Sequence, residues 1–158
     1  MPSDTDNTLI ETWSIHDRIH RYFLAAITVE GLCASMTPRG RSVRDLFAHI
    51  HNVRLMWLKA SAPDLMAGLE KIEPGARASG ETLSSALEAS GAAVADLLRR
   101  GLEAGGRIKG FKPHAAAFLG YMISHESHHR GQAEWALRMC GQPVSDSVSY
   151  GLWEWGSR

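Results

Sequence analysis

The chain has 158 residues, 44% of them hydrophobic, and 17 basic side chains balance 17 acidic ones to a formal net charge of zero. That length supports one domain with a real core, and the even charge gives no basic surplus to point to nucleic acid. No apolar run approaches the roughly 20 residues that cross a bilayer, and the opening MPSDTDNTLIETW is acidic and polar, unlike a secretory signal. Cys33 and Cys140 both fall inside apolar helical patterns, and they read as buried, reduced thiols rather than a disulfide. The expectation is a single cytoplasmic domain over residues 1–158.

Apolar residues recur at helical spacing almost throughout, with no sustained alternation of strand type. The first predicted helix runs from about Asp6 to Cys33, with Leu9, Trp13, Ile19, Phe23 and Ile27 among its apolar positions. Pro38-Arg39-Gly40 breaks the chain. Ser42 then suits an N-cap, with Asp45 adding a favourable charge to the first turn. This second helix carries Leu46, Phe47, Ile50, Val53 and Trp57 and stops near Pro63. Residues 64–79, with Pro74-Gly75, read as a loop.

The third helix spans about Glu81 to Glu103 and is capped by Gly105-Gly106. The fourth opens with Pro113 near its first turn and ends at Gly141, with Pro143 just beyond. In the tail, Trp153 and Trp155 are expected to pack over the bundle or against a second subunit. Four long helices with moderate connections predict an all-α fold, a four-helix bundle.

The segment SHESHHRGQ, residues 124–132, carries the chemistry. At about 100° per residue, Phe118, Met122, His125, His129, Gln132, Ala136 and Cys140 fall within roughly 40° of one line, the stripe expected to face inward. His125 and His129 are then one turn apart on that stripe, the spacing at which two imidazoles share a metal. Two inward rings without a common partner would leave costly polar atoms in the core.

A usable site needs a third ligand. His49 and His51 differ in direction by about 200°, so only one of them can join. His16 and His20 form a further i, i+4 pair near the line of Leu9, Trp13 and Ile27. Periodicity leaves His49, His51 and the His16/His20 pair all open. The last two suit groups that line the pocket or support the ligands.

His125 to His129 also spells H-E-x-x-H, the metalloprotease signature in which the glutamate activates water. No histidine follows His129 in the chain, and no strand is predicted to hold a peptide. Glu126 lies about 80° from the stripe, at its edge, and is expected to face solvent as readily as the core. Arg130 points away from the stripe, Gly131 suits a close helix approach, and Gln132 faces inward, within reach of the ligands.

SVRDLFAHIHNVRLMWL and SHESHHRGQAEWALRMCGQPV together resemble the second- and fourth-helix patterns of the DinB/YfiT-like superfamily, bacterial metal-binding four-helix bundles that include thiol-dependent transferases. The resemblance implies a ligand triad of His49, His125 and His129, and one divalent ion, nickel or zinc, with iron or manganese also compatible with three histidines. Where many relatives have tryptophan, alanine and asparagine, this chain has Trp13 to Arg18, with His16 or Asp17 in place of the asparagine. The implied activity is metal-assisted chemistry on a small molecule, thiol S-transfer with a low-molecular-weight thiol cosubstrate ahead of hydrolysis, in a homodimer. The rival reading is a non-enzymatic metal-binding stress-response protein. A fourth protein ligand from His16 or Glu126 would close the site and favour that rival.

Overall fold

A computed structural model describes residues 3–158. Among these, α1 spans Asp4–Ala25, α2 Val29–Leu32, α3 Val43–Ser61, α4 Gly80–Glu103, α5 Ala115–Met139 and α6 Asp146–Gly151, with single 3-10 turns at Pro63–Met66 and Trp155–Ser157. The described residues include no strand, only an isolated bridge between Ser35 and Ser42. The fold is an all-helical bundle in which α1 and α3 each pack on both α4 and α5.

Local chemistry sets most boundaries. Ser42 and Asp45 close a capping box at the head of α3: Asp45 N–H donates to Ser42 Oγ at 3.1 Å, and Ser42 Oγ–H donates to Asp45 Oδ2 at 2.8 Å. Past α4, Gly105 and Gly106 adopt φ of 79° and 77°, which only glycine takes without strain. The helix predicted from Asp6 to Cys33 is instead two. It ends at Ala25, where Ala26 N–H turns back to Phe23 O, and Thr28 starts α2 by accepting from Gly31 N–H at 2.9 Å. The fourth helix begins after the predicted Pro113, with His114 as its N-cap, and stops at Met139, where Gln142 N–H reaches Leu137 O at 2.8 Å.

That early stop moves Cys140 outside the helical stripe. Cys33 likewise caps α2, and both thiols are free and exposed rather than buried. In the tail, Trp155 packs against the bundle while Trp153 stays 76% exposed. No described helix is long and apolar enough to cross a membrane.

The core has two apolar clusters. One gathers Ile19, Phe23, Val43, Phe47, Ile50, Leu83, Leu87, Ala133 and Leu137. The other gathers Trp13, Leu58, Val94, Leu97, Leu98, Phe118 and Met122. Every long helix also contributes buried polar residues near the junction of the two clusters: His16, Asp17 and His20 on α1, His51 and Arg54 on α3, Ser90 on α4 and Glu126 on α5.

Candidate metal centre

His49 of α3 and His125 and His129 of α5 are brought together with their ligand nitrogens all within 4.8 Å of one another. The ring centroids of His49 and His129 are 4.6 Å apart, and those of His49 and His125 5.4 Å. His125 Nε2 and His129 Nε2 face each other at 3.2 Å. Gln132 Oε1 accepts from His129 Nδ1 at 2.8 Å, which fixes the tautomer that turns a lone pair on Nε2 toward the trio. The Tyr121 ring stacks beside His125. Beside the trio lies a cleft of about 280 Å³ lined by Met36, Gly40, Arg41, Leu46, His129, Gln132 and Ala136.

All three imidazoles are held neutral. Burial pushes His49 down to about 4, with the Arg41 charge and the other two rings adding to the effect. Burial also lowers His125, helped by His129, and it lowers His129 although the bond to Gln132 pulls the other way. Neutral rings are the form that ligates a metal.

The other candidates lie elsewhere. His51 is buried against α4, with Nδ1 at 3.0 Å from Ser90 Oγ and Nε2 at 2.8 Å from Glu70 O. His16 and His20 are fully buried with Glu126 in a second group. Glu126 is no edge residue: none of its side chain reaches solvent. Arg54 Nε donates to Glu126 Oε1 at 2.7 Å and Arg54 Nη2 to Glu126 Oε2 at 2.8 Å, while Arg54 Nη1 donates to Asp17 Oδ1 at 2.7 Å. His16 Nε2 donates to Glu126 Oε2 at 2.9 Å.

Burial alone would raise the Glu126 carboxyl, but the Arg54 guanidinium outweighs it and holds the group far below the usual carboxylate range. Burial lowers His16 and drives His20 lower still, so both stay neutral. The misplacement of Glu126 has a geometric cause. The buried band of α5 also includes Leu119, Arg130, Ala133 and Leu137, so its centre lies about 50° from the line through His125 and His129. Glu126 and Arg130 therefore turn inward, while His125 and Gln132 sit at the margin, next to the cleft.

The DinB family profile matches residues 1–154. The chain belongs to the DinB family. It also resembles, in fold, a crystal structure of a DinB-like protein from Bacillus cereus ATCC 10987, with a TM-score of 0.67 and 20% sequence identity over 87% of this chain and 93% of that one. No curated protein matches.

The residues of this DinB chain fit a divalent ion at one of the two groups. Bonds of about 2.0–2.1 Å at a tetrahedral angle place two ligand nitrogens about 3.3 Å apart, close to the 3.2 Å between His125 and His129. The second group does not fit. Both Glu126 oxygens are held by a guanidinium, so a cation there would sit against an existing positive charge. Sequence reasoning overlooked Arg54 and Arg41. Arg54 could have been found from its place on the apolar line of Phe47, Ile50 and Leu58, where an unpaired arginine is not tolerated. Arg41 carries no periodic signal.

Proposed function

We propose that this chain is a metal-dependent enzyme that uses a small thiol, with one divalent ion, nickel or zinc, held by His49, His125 and His129. The observation carrying this reading is the trio of neutral imidazoles beside an open cleft, with Glu126 committed to Arg54 and His16 to Glu126 rather than closing the site. A structural ion is ordinarily enclosed by four protein ligands. When bound, such an ion supplies a Lewis acid with open positions that acidifies a thiol or polarises a substrate oxygen.

The chain's own groups favour a thiol over water. Hydrolysis of the H-E-x-x-H type needs a free carboxylate as base, and Glu126 is locked beneath Arg54 with neither oxygen available. A thiol ionises near pH 8.5 unaided and needs no such base. Gln132 orients His129, while Met36, Leu46 and Ala136 give the cleft an apolar wall. The test is incubation of metal-loaded protein with a panel of small thiols and electrophiles, following thiol consumption and the thioether formed. Turnover that stops on metal removal supports the reading. Inertness across the panel with metal bound would favour hydrolysis or a binding role.

A further inference from the structure

Gly40 and Arg41 line two clefts at once. One is the cleft reached by His129; the other, of about 310 Å³, is the one into which His49 opens beside Asp45, Asn52 and Ile72. Arg41 therefore stands between the two sides of the histidine trio. It is exposed, and among the described residues no carboxylate pairs with it. Asp45, the nearest acid in sequence, is committed to the Ser42 cap. An uncompensated guanidinium beside three neutral imidazoles gives the site a surplus of positive charge, and a divalent ion would add to it. Asp45 lines the second cleft but is turned to the Ser42 cap, so the donors of Arg41 stay open to an anionic group on a ligand.

The size and chemistry of the first cleft narrow the choice. Its remaining lining is Met36, Leu46 and Ala136, with Gln132 already engaged through its oxygen. At about 280 Å³ it lies at the lower end of small-molecule sites, which run from roughly 300 to 1,000 Å³. The planar fork of a guanidinium matches the two oxygens of a carboxylate. A single such fork suits a monoanion better than a phosphate dianion, which calls for several donors.

We propose that Arg41 anchors the carboxylate of the substrate, and that the site takes short thiol-bearing carboxylic acids whose sulfur end faces the histidine trio. This rests on the metal-centre reading for the sulfur end, and on Arg41 alone for the acid end.

The test uses cobalt(II)-loaded protein and the thiolate-to-cobalt absorption band. Mercaptoacetate, mercaptopropionate and mercaptobutyrate are titrated, each against its neutral mercapto alcohol. At least one acid should bind up to about fivefold tighter than its alcohol, as an exposed ion pair provides. Arg41→Gln should abolish that preference and Arg41→Lys keep part of it; because Arg41 is exposed, helical circular dichroism should not change. Equal binding of acid and alcohol throughout the series, or a preference that survives Arg41→Gln, would overturn the anchor. Absence of the band for every thiol would instead fault the metal-centre reading. Chemical-shift titration of the metal-free protein with the same ligands then still decides the anchor: an acid preference lost in Arg41→Gln upholds it, and no preference overturns it.

Discussion

Arg54 grips both carboxylate oxygens of Glu126, Nε to Oε1 at 2.7 Å and Nη2 to Oε2 at 2.8 Å, with no solvent exposure of either side chain. The pair ties α3 to α5, the helices that carry His49 and His125/His129. Removing Glu126 leaves the buried Arg54 with Asp17 as its remaining carboxylate and with Nε and Nη2 unpaired, which costs up to about 3–5 kcal/mol. Glu126→Ala should lower stability in urea unfolding by that amount. Replacing both, as Arg54→Met with Glu126→Leu, should recover most of it, because Asp17 keeps its bond to Arg21 Nε at 3.0 Å. A single-site cost below about 1 kcal/mol, the value of an exposed pair, would contradict the burial described.

The histidines make the metal-free protein sensitive to acid. His16, His20, His49, His51, His125 and His129 all titrate below their ordinary value in the folded chain, mainly through burial. Below about pH 6.5 the unfolded chain takes up protons that the folded chain refuses, so stability falls as pH drops. The loss should begin near that value and continue toward about 4, where His49 titrates. Glu126 is lowered in the fold, so its contribution is present above about pH 4.3 and is lost below it. Urea midpoints that stay level between about pH 7 and about pH 5 would show that the rings are not held neutral.

Gln132 acts on the centre through His129. Gln132→Leu removes the acceptor that fixes the Nδ1–H tautomer and should weaken metal affinity about 10–100-fold in competition with a chelator. His128, exposed on the same helix, serves as control, and His128→Ala should leave affinity unchanged. Equal affinities for Gln132→Leu and the wild type would remove Gln132 from the site.

Gly91 allows α1 and α4 to meet. Trp13 Nε1 donates to Gly91 O at 2.8 Å, and a Cβ on Gly91 would come within 2.5 Å of Asp17 Oδ1 and 2.6 Å of Asp17 Cγ. Glycine to alanine inside a helix usually stabilises by about 1 kcal/mol. Here Gly91→Ala should destabilise instead, since Asp17 is held by Arg54 and Arg21 and cannot swing aside. A raised melting temperature would show that Asp17 yields.

What the sequence made legible were features decided within a few residues. Ser42 and Asp45 announce the head of α3, and Gly105-Gly106 the end of α4, because a cap needs only its own turn. The break after Ala25 was missed although Thr28 is a sound cap: Ile27 keeps the apolar rhythm going and hides it. Counting on α5 aligned His125 with His129 but drew the stripe through them, so Glu126 was placed at the edge. Only packing of α5 against α1 and α3 fixes the centre of the band. His49 and His51 show the same limit. Counting put them on opposite sides, and the tertiary fold decides that His49 meets the pair on α5 while His51 meets Ser90. Arg54 joins Asp17, Glu126 and the Leu87 carbonyl across four helices, and no local spacing reports such a junction.

The most direct measurement is metal content of the purified protein beside single alanine variants. Wild type and His51→Ala should each carry about one divalent ion per chain, as a single three-imidazole site provides. His49→Ala, His125→Ala and His129→Ala should lose it while keeping their helical content. Unchanged stoichiometry in His129→Ala, or loss in His51→Ala with retention in His49→Ala, would contradict the account.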